Sequence, residues 1–435
     1  VLPAYARLLT FVRDEYTPKA RTSTAWSALP DGKAWYAWRV RQSTTVALTP
    51  DQIHEIGLKE VKRILGEMEA VRQQVGFQGD LKAFFKHLQD DPKFYFTKPE
   101  DLLAGYRDLQ KKINGLTPKL FDIAPKADYE VREVEAFRAQ SAAGASYQNP
   151  SSDGSRPGVF YVNTYNLKAQ PIFGMETLSL HEASPGHHFQ VSIAQEDQSL
   201  PKFRRYGSFY VAYVEGWALY AESLGKELGL FTDPYQWYGR LSDEQLRAMR
   251  LVVDTGLHHK GWTREQAIKY MLDNSSMAES DVESEVERYI VWPGQALGYK
   301  IGQLKILELR DYARKELGAG FDIRKNAVPA LSSLGIVFQA PTLDTELSVL
   351  SNLKFHTELH GIPPAIARRS IAASSARVFS PVHRTFTSIN PSASPLSPTT
   401  TWKGAPIRSA SLNLTPARSS RSSQSTSKPA VCSSV

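Results

Sequence analysis

Recurring helix-start signals constrain the fold of this chain more than any other feature of its sequence. An N-cap residue followed by a first-turn proline and acid, or by Glu or Gln three residues later, marks the beginning of a helix. Three such signals are Thr49-Pro50-Asp51, Thr97 with Glu100, and Thr263 with Gln266. Amphipathic segments follow them, so residues 49–318 are predicted to be mainly helical.

Two segments depart from the helical pattern. YEVREV (129–134) and GVFYVNTYN (158–166) are rich in the β-branched and aromatic residues that favour strands. The stretch between them contains many Gly, Ser, Pro and Asn residues and is typical of a linker with turns. We therefore expect a mainly α protein with one small antiparallel sheet within about 129–166.

The position of the positive charge bears on nucleic-acid binding. The chain has 52 Lys and Arg residues against 45 Asp and Glu residues. Nine of the basic residues and none of the acidic ones fall within 361–435, which leaves 43 basic and 45 acidic residues in 1–360, a net charge of −2. We therefore expect no nucleic-acid partner for the body. No apolar run approaches the roughly 20 residues that span a bilayer.

The sequence changes character near residue 325, and this predicts three regions. Residues 1–325 form the helical body, and helical periodicity weakens over 326–360. The segment 361–435 is rich in Ser, Pro and Arg, a composition that predicts a disordered tail. The chain begins with Val1, so we expect the natural N-terminus and any signal peptide to be absent. Cytoplasmic, periplasmic and secreted locations are all compatible with this, and the oligomeric state is left open.

Three of the ten histidines lie in LHEASPGHHFQ (180–190), and the first of them, His181, is followed by Glu182. Many zinc hydrolases begin their metal-binding helix with His-Glu and place a second histidine four residues after the first, one helical turn away. Here Pro185 holds that position. Proline has no N–H and its ring clashes with the carbonyl four residues earlier, so the helix is expected to kink or widen.

A widened turn would bring His187 back to the side of the helix that His181 occupies. In a regular helix His188 would share that side, but two turns and roughly 10 Å away along the axis. We therefore prefer His187 as the second ligand and keep His188 as the alternative. Glu182 would then lie beside a zinc-bound water and take its proton.

The third ligand is expected on a later helix, since His₂Glu is a standard catalytic zinc set. In SFYVAYVEGWALYAESLGKELG (208–229), Glu215 and Glu222 are seven residues apart and share one helical face. Glu215 is surrounded by apolar and aromatic residues, where a carboxylate needs a partner such as a cation. A partly exposed position fits Glu222 better. Cys432 is the only cysteine, so a thiolate zinc site is excluded.

The motifs HEASPGHHFQ, VEGWALYAE, DTGLHHKGWTREQAIKYM and ERYIVWPGQALGYKIGQ resemble a bacterial family called domain of unknown function 885, whose members look like gluzincin-type zinc metallopeptidases. The likeness spans about residues 1–325 and implies a multi-helix gluzincin-like architecture with the small sheet next to the metal-site helix. A looser similarity to the thimet-type oligopeptidases places the second ligand at His187, the third at Glu215, and an outer acid at Glu222.

The resemblance also implies roles for residues farther along the chain. Gluzincins stabilise the transition-state oxyanion with a His or Tyr that faces the zinc, and His258 and Tyr299 are the candidates here. Tyr289 is the next candidate for this role and is expected to contact the substrate. Arg288 would pair with a substrate carboxylate, although a structural salt bridge to a neighbouring acid is the alternative.

The segment FYVNTYN (160–166) resembles in position the edge strand that holds an extended peptide in such enzymes. Peptide addition to a sheet edge supplies main-chain hydrogen bonds without sequence selectivity. Asn163 is the residue of this strand that we expect to contact the substrate.

Zinc-dependent hydrolysis of short peptides is therefore the predicted function. The alternative is a metal-binding but catalytically silent protein that holds peptides or other partners. The chain departs from the resembled family at both ends: members carry further N-terminal helices and continue as helix past FDIRK. A truncated or frame-shifted gene product, with a reading-frame change near Asn326, is therefore a further hypothesis.

Overall fold

A computed structural model describes residues 1–207 and 210–318, and these contain fifteen α-helices and three β-strands. The helices are α1 (Leu2–Phe11), α2 (Gly32–Thr44), α3 (Pro50–Gln74), α4 (Leu81–Asp90), α5 (Pro99–Leu116), α6 (Ala136–Ala139), α7 (Met175–Glu182), α8 (His187–Glu196), α9 (Lys202–Tyr206), α10 (Val211–Ser223), α11 (Gly225–Leu228), α12 (Pro234–Thr255), α13 (Arg264–Asp273), α14 (Glu279–Val291) and α15 (Leu297–Leu317). The strands are β1 (Tyr129–Glu133), β2 (Ala145–Gln148) and β3 (Gly158–Val162). The predicted regions 326–360 and 361–435 lie outside the described residues.

The mainly helical prediction is confirmed. Within the described ranges, no helix has the length and apolar character needed to cross a membrane.

Local capping signals set two of the three predicted helix starts. Thr49 and Thr263 each form a capping box, in which the threonine side chain accepts a backbone N–H and a glutamine returns the bond. The expected box at Thr97 is wrong, because α5 begins at Pro99 with Lys98 as a cap that makes no side-chain bond. Proline favours the first helical position and holds the preceding residue extended, so Pro99 decides where this helix begins.

The two longest helices, α3 with 25 residues and α12 with 22, pack together along their length. Their close approach depends on Gly57, where a Cβ would lie 2.7 Å from the Leu251 Cβ and 2.8 Å from a Val252 methyl. Fully buried side chains of this core include Ile64, Met68, Phe84, Tyr238, Leu241 and Val252. The pair forms the main hydrophobic core of the described residues.

A second close helix pair, α10 with α15, brings the predicted ligand Glu215 and the predicted oxyanion donor Tyr299 onto neighbouring helices. A Cβ at Gly216 would lie 2.5 Å from the Gly302 Cα, and a Cβ at Gly302 would lie 2.1 Å from the Ala212 carbonyl oxygen. No side chain fits at either position without moving a backbone. The two glycines therefore fix the distance between the two helices that flank the site.

The sheet is mixed, and this corrects the antiparallel prediction. Its order is β1-β3-β2, with β3 parallel to β1 and antiparallel to β2. The third strand, β2, lies inside the segment that the sequence indicated to be a linker. Because 24 residues separate β1 from β3, the chain is long enough to cross over and return in the parallel direction.

The sheet packs beside α7, the helix that carries the His-Glu pair. Tyr129, Phe160 and Val162 from the sheet form one buried cluster with Met175 and Ala183 at the two ends of this helix. This contact positions the sheet next to the histidine segment.

Candidate metal centre

The histidine segment is divided between two helices. Helix α7 ends at Glu182 and α8 begins at His187. Ala183 leaves the helical region with φ −107° and ψ −108°, and the Ser184–Pro185 peptide bond is cis. The expected widened turn within one helix is therefore wrong, since residues 183–186 form a non-helical break.

Gly186 lets the chain fold back onto the helix it has just left. A Cβ at this position would lie 1.9 Å from the His181 carbonyl oxygen and 2.3 Å from that of Leu180, so only glycine fits. The next residue, His187, is thereby placed against His181, with ring centroids 4.9 Å apart and ring planes at 89°. The Pro-Gly break thus brings together two histidines that a continuous helix would separate.

Trp217 on α10 holds the break in place. Its indole Nε1 donates a hydrogen bond of 2.8 Å to the Pro185 carbonyl. This bond connects the break to the helix that supplies Glu215. Trp217 was not predicted from the sequence, and the available signal was a tryptophan two residues from a predicted ligand.

His181, His187 and Glu215 offer ligand atoms that all lie within 4.8 Å of one another. One Glu215 oxygen, Oε2, is 3.6 Å from His181 Nε2 and 3.2 Å from His187 Nε2. In a tetrahedral zinc site with bonds near 2.05 Å, ligand atoms are about 3.3 Å apart. These three residues therefore fit a His₂Glu zinc site, and the structure brings together the set expected from the sequence.

Glu222 lies behind His181. Its side chain is fully buried, and its Oε1 is 2.7 Å from His181 Nδ1, while Oε2 has no partner among the described residues. The expectation that Glu222 is partly exposed is wrong, because the histidine N–H supplies the partner that a buried carboxylate needs. A carboxylate that binds one ring nitrogen of a histidine directs the other nitrogen toward a metal.

The two carboxylates determine the charge of the buried histidine. Burial lowers the pKa of His181, but hydrogen bonds and charge from Glu215 and Glu222 outweigh it, so the pKa is raised to about 9. Burial raises the pKa of Glu215, but hydrogen bonds from His181 and His187 outweigh this effect, so the pKa lies well below its ordinary value. Without metal, His181 is thus protonated at pH 7 and lies between the two carboxylates.

His188, the alternative ligand, binds the sheet region instead. Its Nδ1 is 2.8 Å from the Tyr147 hydroxyl on β2, and its Nε2 is 3.1 Å from the Ala127 carbonyl. Burial lowers the pKa of His188 to about 4, so the ring is neutral at pH 7. Both ring nitrogens are therefore engaged, and His187 is the histidine that lies with His181.

Glu182, the predicted general base, is partly buried at the end of α7 and directly follows His181. Its carboxylate forms no hydrogen bond or ion pair with any residue that the structure describes. A carboxylate with free acceptor oxygens on the residue after a candidate ligand is available to bind a water.

Tyr299 lies next to the donor set. Its ring stacks on His181 with centroids 6.5 Å apart and an interplanar angle of 16°. Its hydroxyl accepts a hydrogen bond of 3.3 Å from Arg288 Nη2, and the Arg250 guanidinium lies 4.5 Å from its ring centroid. The structure therefore places Tyr299 next to His181, and Arg288 at the Tyr299 hydroxyl.

His258 and Tyr289 occupy structural positions, which corrects their predicted roles. His258 is fully buried in a π-helical turn, where Nδ1 accepts the Trp26 N–H and Nε2 is 3.0 Å from the Tyr289 carbonyl. The Tyr289 hydroxyl donates to Glu285, and the side chain is 1% exposed. Neither group is free to reach a substrate in this arrangement.

Asn163 is also structural. Its amide donates to the carbonyls of Ala139, Ala142 and Ala143, and its Oδ1 accepts the Tyr165 N–H. The segment that contains it continues β3, which is paired on both sides, so the edge-strand assignment is wrong as well. The cause is β2, which covers the edge that the sequence left open.

Four charged residues near Tyr299 were missed by sequence analysis. Asp243, Arg247 and Arg250 lie on α12 and Glu285 lies on α14. Arg247 Nη1 is 2.8 Å from Asp243 Oδ1, and Arg250 Nη2 is 2.9 Å from Glu285 Oε2. The available signal was the i,i+4 spacing of Asp243 and Arg247 on α12.

The chain belongs to the family described as "Bacterial protein of unknown function (DUF885)", whose model matches residues 1–327. This result supports the family resemblance given above. A search of curated proteins returns no match.

Two solved structures are similar to this chain. One is described as "the putative lipoprotein from Colwellia psychrerythraea", with 41% identity over 76% of this chain and a TM-score of 0.73. The chain spans 57% of the length of that protein. The other is described as "a putative lipoprotein of unknown function from Shewanella oneidensis", with 20% identity and a TM-score of 0.59. The match covers 75% of this chain and 60% of that protein, and at this identity it shows the fold alone.

Proposed function

We propose that this chain is a zinc-dependent peptidase of gluzincin type that hydrolyses short peptides. The observation that carries the proposal is the donor set of His181, His187 and Glu215, with Glu222 behind the first histidine. Zinc, when bound, would supply Lewis-acid chemistry, a positive charge that activates water and polarises a carbonyl.

The residues of the chain supply the remaining chemistry. Glu182 would take the proton of the attacking water and return it to the leaving amine, since its carboxylate is free of other described partners. The Tyr299 hydroxyl accepts its hydrogen bond from Arg288, so its own proton is free to be donated to a developing oxyanion. Glu222 would keep the His181 ring oriented.

The edge of β2 that no other described strand covers is the proposed position for the peptide backbone. The Asn163 N–H donates to Gly144, which fixes the ladder so that the main-chain groups of Ala145 and Tyr147 point away from β3. The Tyr147 hydroxyl contacts His188, next to the ligand His187. An open groove of about 730 Å³ lies along β2 and the end of α8, and the donor set does not line it. A peptide added to this edge would pass the Tyr147 hydroxyl and His188, the residue after the ligand His187.

Metal analysis combined with one substitution tests the proposal. We expect about one zinc per chain and peptide hydrolysis that a chelator abolishes. Glu182→Gln should retain the zinc and reduce turnover roughly 10²- to 10⁴-fold, the usual contribution of a general base. Unchanged peptide turnover in this variant would favour another reaction mechanism. Zinc binding without any hydrolysis by the unaltered chain would favour the catalytically silent alternative.

The description of the Colwellia relative supports an exported location as part of this proposal. Fractionation of cells that produce the native gene product tests it, and recovery of the protein only in the cytoplasm would contradict it.

A further inference from the structure

Three arginines surround Tyr299, the residue that stacks on His181. The guanidinium carbons of Arg250 and Arg247 lie 4.5 Å and 6.0 Å from its ring centroid. Arg288 Nη2 donates to its hydroxyl over 3.3 Å. The carboxylate partners of these three arginines determine which of them is available to bind a further anion.

Two of the arginines have their own carboxylates. Arg247 pairs with Asp243 at 2.8 Å. Arg250 is 4% exposed and contacts Glu285 Oε2 through both Nε and Nη2, at 3.1 and 2.9 Å. Each of these two arginines therefore has a close carboxylate, and their side chains are only 10% and 4% exposed.

Arg288 differs from both. Its side chain is 32% exposed, and its one acidic contact within the part of the chain that the structure describes is Glu285 Oε1, at the long distance of 3.5 Å. Its other partners are neutral, the Gln295 amide oxygen at 3.0 Å and the Tyr299 hydroxyl. Since Glu285 is committed to Arg250, Arg288 is the accessible arginine of the three, and it has no close carboxylate of its own among the described residues.

We propose that Arg288 binds a carboxylate of the substrate and thereby restricts the proposed peptidase to peptides with a carboxylate about one residue beyond the scissile bond. This inference rests on the proposed function. The Tyr299 hydroxyl is 3.3 Å from Arg288, and one residue spans at most about 3.3–3.6 Å. A carbonyl held by Tyr299 therefore places the next carboxylate at Arg288. The C-terminal carboxylate of a short peptide and an acidic side chain are its two sources.

Binding to a variant that does not turn over tests this selectivity separately from activity. In a Glu182→Gln background, isothermal titration measures N-acetyl-Ala-Ala, its C-terminal amide, and N-acetyl-Ala-Glu amide. We expect the free acid to bind roughly tenfold or more tightly than its amide, since a hydrogen bond to a charged group is strong. Adding Arg288→Gln should remove that preference, and Arg288→Lys should restore part of it.

Arg264→Gln is the matched control. Arg264 has a similar exposure, 31%, and pairs with two acids on α14, and among the described residues it forms no hydrogen bond or ion pair with Tyr299 or the donor set. The Arg264→Gln variant should keep the full preference for the free acid over its amide. Circular dichroism of each variant checks that it is folded.

Tighter binding of the Glu-containing amide than of the free acid, lost with Arg288→Gln, would support the same subsite with an acidic side chain as its source. Equal binding of acid and amide, a preference that survives Arg288→Gln in a folded variant, or no binding of any probe would overturn the proposal. Failure of the peptidase function itself would appear differently, as an absence of turnover by the chain that retains Glu182.

Discussion

Two buried histidines, His181 and His258, show how differently this protein uses the same side chain. His181 is 3% exposed and His258 is fully buried. His181 has carboxylate partners, Glu222 on one ring nitrogen and Glu215 near the other. His258 has backbone partners, the Trp26 N–H and the Tyr289 carbonyl. Burial therefore does not distinguish a candidate ligand from a structural histidine, whereas the chemistry of its partners does.

The buried carboxylates of the two regions differ in the same way. Asp254, near His258, accepts the Tyr36 hydroxyl at 2.6 Å and the Gly294 N–H on both oxygens. Glu222 has one oxygen on His181 and a second without a described partner. The hydrogen bonds of Asp254 are therefore those of a structural group. Glu222 has the arrangement of a carboxylate that orients a metal ligand.

The largest expected difference between the regions is in metal content. His181→Ala should abolish zinc binding, because it removes one of three protein ligands. His258→Ala should retain about one zinc per chain and lower the melting temperature, because it leaves a cavity and two unpaired backbone groups. Metal analysis and thermal unfolding of both variants measure this. Loss of zinc from a folded His258→Ala variant would contradict the assignment of His258 as a structural histidine.

A smaller difference is expected from the carboxylates behind the histidines. Glu222→Gln should weaken zinc binding roughly 10- to 100-fold, the usual effect of losing the partner of a ligating histidine. Asp254→Asn should leave zinc affinity unchanged and cost about 1–3 kcal/mol of unfolding free energy. Competition with a chromophoric chelator measures the zinc affinity, and urea unfolding measures the stability. Equal zinc affinities in the two variants would contradict this account of Glu222.

A glycine-to-alanine substitution should destabilise the protein more at the α10–α15 contact, which supports the centre, than on an exposed helix surface. Gly216→Ala should destabilise the protein by about 1–3 kcal/mol, since its Cβ would meet the backbone of α15. Gly66→Ala on α3 has no atom within 4 Å of the new Cβ and should stabilise by about 0.5–1 kcal/mol. Urea unfolding of both variants tests the contrast, and a neutral Gly216→Ala would show that the α10–α15 distance can adjust.

The smallest effect is a pH dependence that separates two neighbouring histidines in the zinc-free protein. The pKa of His181 is raised from 6.5 to about 9, so its contribution to stability is present below pH 6.5 and is lost as pH rises through 9. The pKa of His188 is lowered to about 4, so the folded state loses stability as pH falls from 6.5 toward 4.

Unfolding midpoints in urea between pH 4 and pH 9.5 measure both effects. His181→Gln should flatten the alkaline side of the profile, and His188→Gln should flatten the acidic side. If stability still declines at alkaline pH in His181→Gln, the decline is caused by the titration of another group.

Local signals predicted much of the fold but not its non-local pairings. The boxes at Thr49 and Thr263 depend on four consecutive residues, so they are visible in the sequence. The position of β2 beside β3 depends on a crossover through a Gly- and Ser-rich segment, which no short pattern records.

The contrast between local signals and non-local contacts also applies to the candidate metal centre. His181, His187 and Glu215 could be chosen because metal chemistry limits the residue types and spacings. The structural positions of His258 and Asn163 depend on backbone groups that are remote in sequence or belong to an irregular loop. The close approach at Gly186 likewise follows from a three-dimensional fold of the chain that the sequence pattern only marked as a break.

The most direct test of the central claim is the zinc content of His187→Ala and His188→Ala, each purified alongside the unaltered chain. We expect zinc to be lost in the first variant, because His187 lies with His181 and Glu215. The second variant should keep about one zinc per chain and show only reduced stability, because His188 binds Tyr147 and the Ala127 carbonyl. Loss of zinc in a folded His188→Ala variant, with zinc retained in His187→Ala, would contradict the proposed metal centre.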